Sequence, residues 1–225
     1  MPLDLSRIHA ICFDIDGTLR DTDDQMAQQL ASLLKPFGLF LSHHKRQVIA
    51  RRVIMALEQP GNFVKGRLDA WRLDGFLARL GDRWRRTGDQ PHAKPPLIIP
   101  GVRAMLAQLS LGYPLAVVSA RGERSTRLFL DSHDLAAFFQ VVVTEQTCPR
   151  TKPYPDPIFW AARHMNVAAE NCLMVGDTTV DIRAGRAAGC QTVGVLCGFG
   201  QEDELRRAGA DLILPTTADV ADYLG

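Results

Sequence analysis

Two aspartates, Asp14 and Asp16, lie two residues apart in Asp14-Ile15-Asp16-Gly17-Thr18, directly after the apolar run Ile8-His9-Ala10-Ile11-Cys12-Phe13. If that run is a buried strand, side-chain alternation sends both carboxylates to the same side where the chain leaves the sheet. Adjacent carboxylates repel unless a cation or a shared proton relieves them. The plainer role for Asp and Gly here is turn chemistry. Three further polar features recur at the ends of apolar runs. Ser119 follows Leu115-Ala116-Val117-Val118, Lys152 lies in the loop Thr151-Lys152-Pro153-Tyr154-Pro155, and Asp177 and Asp181 sit in Gly176-Asp177-Thr178-Thr179-Val180-Asp181. Taken singly, Ser119 reads as a helix cap, Lys152 as a solvated charge and the Asp pair as capping. Asp177 and Asp181, four apart at a helix start, can also face the same way. That all of them fall at strand ends, in this order, argues against coincidence.

Positioning these residues requires an open sheet. Short apolar runs at residues 8–13, 115–118, 140–143, 172–175, 192–196 and 212–214 predict strands. Amphipathic segments at 102–111, 123–131, 156–165, 179–188 and 202–208 predict helices between them. Strands alternating with helices predict an α/β fold, a Rossmann-like parallel sheet covered by helices on both faces. In such sheets ligands bind beyond the carboxyl ends of the strands, where the six polar residues fall.

Residues 20–97 read differently, with helical stretches near 24–37, 42–58 and 66–86 and few strand-like runs. Pro95-Pro96 marks the hinge back into the sheet. From Arg20 to Ile98 there are 14 Lys and Arg against 8 Asp and Glu, a net of +6, while the remainder has 12 against 17, a net of −5. The expected organisation is a core of residues 1–19 and 98–225 interrupted after its first strand by a basic helical cap of residues 20–97.

Over 225 residues, 26 Lys and Arg against 25 Asp and Glu give a net charge of +1, which suits neither a strongly basic nucleic-acid binder nor an acidic tail. No apolar run approaches the ~18 residues of a membrane span, and the first residues lack the pattern of a secretory leader. Five cysteines without a CxxC pair read as small core residues in a reducing compartment, so the expected location is the cytoplasm.

In order and spacing, Asp14 to Thr18, Ser119, Lys152, and Gly176 to Asp181 resemble the four motifs of the haloacid dehalogenase superfamily of phosphohydrolases. Ile99-Pro100-Gly101-Val102, Asp181-Ile182-Arg183-Ala184-Gly185 and Ala208-Gly209-Ala210-Asp211 also look like its phosphoglycolate phosphatase-like branch. The resemblance implies Mg²⁺-dependent hydrolysis of a small phosphate monoester through an aspartyl-phosphate. Asp14 would be the nucleophile, its ordinary pKa of about 3.9 leaving it ionised at neutral pH. Asp16 would be the acid and base. Asp14 and Asp177 would bind Mg²⁺ through their carboxylates and Asp16 through its backbone carbonyl, with Asp181 acting through water or steadying Lys152. Thr18, Ser119, Ala120 and Lys152 would hold the phosphoryl group. The superfamily's dehalogenases and phosphonatases carry something other than Asp at the position of Asp16, so carbon–halogen and carbon–phosphorus cleavage are disfavoured.

Two residues depart from the pattern. Arg20 stands where an aliphatic residue is usual, and Arg121 closely follows the Ser motif. Either reaches a second acidic group on the substrate or faces solvent at a hinge. His43-His44 shows no ligand spacing, and Trp71 and Trp84 read as packing residues. The runner-up activity is a sugar-phosphate mutase of the same superfamily, distinguished by whether sugar or water accepts the phosphoryl group. A phospho-receiver domain carries its acceptor Asp after the third strand, and a nucleic-acid module would show basic and aromatic residues interleaved. The expected partner is thus a small phosphate ester, with neither nucleic acid nor membrane, and oligomeric state is open.

Overall fold

The computed structural model describes residues 3–21 and 97–224. Six strands form one parallel sheet: β1 (Ala10–Phe13), β4 (Leu115–Val118), β5 (Val141–Val143), β6 (Cys172–Gly176), β7 (Gln191–Val195) and β8 (Leu212–Leu214). Their order is β5-β4-β1-β6-β7-β8. The helices are α1 (Val102–Leu109), α2 (Glu123–Ser132), α3 (Asp156–His164), α4 (Thr179–Ala187), α5 (Glu202–Ala208) and α6 (Asp219–Leu224). Two short strands, β2 (Arg20–Asp21) and β3 (Leu97–Ile98), pair antiparallel, so the chain departs toward residue 22 and returns at residue 97 side by side. The cap expected over residues 20–97 lies, apart from Arg20, Asp21 and Leu97, outside the described residues.

The central strands are apolar throughout because both faces are covered. Along β1, Ile11 and Phe13 enter a core of larger side chains with Leu106 of α1, Phe129 of α2 and Val220 of α6. Ala10 and Cys12 face a second core of smaller ones, with Ala161 of α3 and Ala184 of α4. Small residues there let helices approach closely. A Cβ on Gly185 of α4 would come within 2.9 Å of Met174 Cβ on β6.

The chain builds outward from β1 through β4 to β5, then returns to the other side of β1 to lay down β6, β7 and β8. The sheet order therefore reverses beside the carboxyl end of β1, the crevice where open α/β sheets bind ligands. Register fixes what meets there. Phe13 aligns with Val117 of β4 and with Val175 of β6, so Asp14, Ser119 and Asp177 emerge from three adjacent strands.

Candidate active site

Asp14 leaves β1 with its backbone N–H donating to Val175 O at 3.0 Å, and Ser119 leaves β4 with its own donating to Val143 O at 3.0 Å. Both side chains are buried. Between β5 and α3, the loop carrying Lys152 turns back over the sheet ends. Its ammonium donates to Asp14 Oδ1 and to Asp181 Oδ1, each at 2.6 Å. Asp181 is in the first turn of α4, where its Oδ2 accepts from the Thr178 N–H at 3.0 Å and hydroxyl at 2.7 Å. Capping thus fixes the rotamer of Asp181 while its other oxygen orients Lys152.

Asp177 is wholly buried. Its Oδ1 accepts from the Thr18 hydroxyl at 3.3 Å, and its Oδ2 from the Phe199 N–H at 2.7 Å. Thr18, read from sequence as a substrate contact, is itself fully buried, and its carbonyl accepts from the Thr217 hydroxyl at 2.6 Å. Its side chain therefore faces Asp177. The loop after β7 closes over the same carboxylate, and a Cβ on Gly198 would overlap Asp177 Oδ2. Gly17, at φ +79°, also turns the chain against this carboxylate, and a Cβ there would meet the same oxygen. Only glycine fits at either position, through close approach and, at Gly17, through its left-handed backbone as well.

One oxygen from each of Asp14, Asp177 and Asp181 lies within 4.8 Å of the others, so these three buried carboxylates could hold a metal ion. Among the described residues, Lys152 brings one positive charge to these three carboxylates. The imbalance and the all-oxygen donor set suit a hard divalent cation. Burial pushes the Asp14 carboxyl up to about 7, against the opposing pull of Lys152, and the charges of Asp181 and Asp16 push the same way. These surroundings raise Asp14 above the ordinary carboxylate pKa expected from sequence. For Lys152 burial works downward, but Asp14 and Asp181 outweigh it and hold the ammonium above its usual range.

Asp16 does not join this cluster. Its carboxylate is held by two arginines instead. Arg121 Nη1 donates to its Oδ1 at 2.8 Å and Oδ2 at 3.0 Å, and Arg20 Nη1 to its Oδ1 at 3.4 Å. Ala120, between Ser119 and Arg121, is half-buried. Four of the six strand-end residues thus converge directly: Asp14, Lys152, Asp177 and Asp181. Ser119 stands on the neighbouring strand, and Asp16 borders the group with two guanidiniums as partners. Sequence spacing did not point to the Phe199 N–H or to Gly198. The Gly198-Phe199-Gly200 run carries a turn signal but nothing that names Asp177 as its target.

Among the described residues no helix is long and apolar enough to cross a membrane. All five cysteines are free.

A phosphoglycolate phosphatase of Nitrosococcus oceani is 26% identical to this chain over 232 residues, 98% of each protein. One from Neisseria gonorrhoeae is 30% identical over 203 residues, covering 87% of this chain and 83% of its own. The fold is shared with a haloacid dehalogenase-like family protein from Streptococcus pneumoniae at TM-score 0.76 and 21% identity, over 98% of this chain and 100% of that one. The model of the haloacid dehalogenase-like hydrolases matches residues 11–195, a stretch running from β1 to the end of β7 and holding every strand-end residue described above. With that match, and with its acidic residues at the ends of β1 and β6, the chain belongs to the haloacid dehalogenase-like hydrolases.

Proposed function

We propose that this protein is a Mg²⁺-dependent phosphatase that hydrolyses a small, phosphoglycolate-like phosphate monoester through an aspartyl-phosphate. The observation that carries the reading is the buried trio Asp14, Asp177 and Asp181 with Lys152 between two of them. The trio lies at the point where the sheet order reverses, with a second aspartate two residues beyond the first. The phosphoglycolate phosphatases aligned along nearly the whole chain support the choice of substrate class.

Asp14 and Asp177 would hold Mg²⁺ through their carboxylates and Asp16 through its backbone carbonyl, with Asp181 steadying Lys152. When bound, the cation offsets the repulsion between the carboxylates and an anionic phosphate. Asp14 is the nucleophile. Its carboxylate attacks phosphorus while Ser119 donates a hydrogen bond to a phosphoryl oxygen and Lys152 offsets the charge that spreads over the transferring group. The Ala120 backbone lines the same turn. Thr18 acts through Asp177, whose carboxylate it orients. As the ester bond breaks, Asp16 protonates the leaving alcohol. It then takes a proton from the water that attacks the aspartyl-phosphate, returning Asp14 to its carboxylate and releasing inorganic phosphate.

Residues 20–97 are read as a cap that contacts the leaving group, and the free thiols are consistent with a cytoplasmic enzyme. A panel of phosphate esters incubated with the protein and Mg²⁺ tests the reading. Phosphate release from phosphoglycolate or a close analogue, lost on chelation, is the expected result. Failure to release phosphate from any member, with the metal present, would overturn it.

A further inference from the structure

Asp16 is more heavily engaged than its proposed chemistry requires. The side chains of Asp16, Arg20 and Arg121 are 17%, 20% and 22% exposed, and both guanidiniums converge on the one carboxylate. The two arginines come from different elements. Arg20 is delivered by the tight turn after β1, closed by Gly17 N–H to Arg20 O at 2.9 Å and Arg20 N–H to Ile15 O at 2.8 Å. Arg121 follows the end of β4, and its N–H donates to Ser119 Oγ at 3.2 Å. Its side chain thus extends from the turn proposed to hold the phosphoryl group toward Asp16.

Among the described residues both guanidiniums meet at the Asp16 carboxylate, in a mostly dry setting. Arg20 Nε is buried with no hydrogen-bond partner among the described residues. Burial pushes the Arg20 guanidinium below its usual pKa, Asp16 pulls it back up, and the neighbouring charge of Arg121 pushes it down again. A second anion at this point would supply an acceptor for the orphaned Arg20 N–H. Guanidinium suits such an anion because its planar fork matches carboxylate and phosphate geometry.

We propose that Arg20 and Arg121 form the subsite that recognises a second negative group on the leaving alcohol, a carboxylate or a second phosphate, and that Asp16 occupies this subsite in the present structure. The inference rests on the phosphatase reading, which sets the ester oxygen beside Asp16. A group one or two atoms from that oxygen then falls within reach of both guanidiniums. As it takes over the Arg121 hydrogen bonds, Asp16 is released, takes up a proton from solvent and turns toward the ester oxygen as its acid. A neutral alcohol cannot make that exchange, so the arginines both select the anionic substrate and position Asp16.

Two measurements test this. In the first, kcat and KM are compared for phosphoglycolate, ethylene glycol bisphosphate and neutral 2-hydroxyethyl phosphate, in the wild type, Arg121→Gln, Arg121→Lys and Arg20→Gln. The wild type should favour the anionic esters. Arg121→Gln should reduce the anionic-to-neutral ratio of kcat/KM about 10- to 100-fold, as expected for loss of a charge-assisted hydrogen bond. Arg121→Lys should restore part of the ratio, and Arg20→Gln should lower it less. Which anionic ester falls furthest separates carboxylate from phosphate recognition. The second measurement is calorimetric binding of 3-phosphonopropionate and of neutral 3-hydroxypropylphosphonate, with folding of each variant checked by circular dichroism. The carboxylate should bind more tightly to the wild type, and the advantage should vanish in Arg121→Gln. An anionic-to-neutral ratio that is unchanged in folded Arg121→Gln and Arg20→Gln, together with equal phosphonate affinities, would overturn the subsite and leave the phosphatase reading intact. Absence of hydrolysis by the wild type would instead overturn that reading, while the phosphonate comparison would still decide the anion subsite.

Discussion

Asp14 and Asp16 are two residues apart and meet opposite electrostatic surroundings. Asp14 faces Lys152 and two further carboxylates, whereas Asp16 faces Arg20 and Arg121. Replacing Asp16 by Asn should slow hydrolysis of alkyl phosphates by about 10²- to 10⁴-fold, the usual loss when a general acid is removed. The defect should shrink for nitrophenyl phosphate, whose leaving group needs no proton. Steady-state rates on the two substrates check this, and an equal loss on both would count against the acid role. Asp14 yields a pH prediction. Its folded-state pKa near 7 lies above that of an unfolded carboxylate. The metal-free protein therefore holds a stabilising proton there that is lost as pH rises through 7. The proposed Mg²⁺ would bind the ionised form and have to displace that proton at lower pH. The rise in Tm on adding Mg²⁺ should thus grow between about pH 5.5 and 8, and Asp14→Asn should flatten the dependence. A thermal shift independent of pH would contradict it.

Among elements, the loop after β7 has a role that only the folded chain reveals. Gly198→Ala should push a methyl against Asp177 Oδ2 and Gly17 O, both held firmly. Overpacking of this kind costs about 1–3 kcal/mol, and turnover should fall with it as Asp177 moves. Gly112→Ala meets nothing within 4 Å and should leave stability unchanged or raise it by about 0.4–1 kcal/mol. Urea denaturation of the two variants separates a close-approach glycine from a merely flexible one. The main strands and helices were legible in sequence because each is a continuous apolar or amphipathic run. β4, β8 and α5 have the predicted bounds. The first strand begins at Ala10 rather than residue 8, because Ile8 closes a short 3₁₀ turn over Leu5–Arg7. β2 and β3, two residues each, and α6, six residues, are too short for periodicity to reveal. Strand-end position exposed Asp14, Ser119, Lys152, Asp177 and Asp181. The pairing of Arg20 and Arg121 with Asp16 was not legible, because it depends on side-chain directions across β1 and β4 that spacing does not encode.

The whole chain is nearly neutral, yet the +6 segment from Arg20 to Ile98 interrupts a −5 remainder. Long-range attraction of an anionic ester by that segment should fade from about 0.05 to 0.5 M salt, since exposed charges beyond ~10 Å are screened at 0.1 M. Contacts with the mostly buried Arg20 and Arg121 should fade much less. The preference for phosphoglycolate over 2-hydroxyethyl phosphate should therefore drop with salt and level off above unity. A preference that disappears entirely would assign it to the distributed charge alone. The proposed chemistry depends on a phosphoryl group passing through Asp14. Mass spectrometry of the acid-quenched enzyme during turnover of phosphoglycolate with Mg²⁺ tests that most directly. The account predicts a phosphoryl adduct on the peptide containing Asp14, absent from folded, inactive Asp14→Asn. Turnover by the wild type without such an adduct, accompanied by hydrolysis at a near wild-type rate by Asp14→Asn, would contradict it.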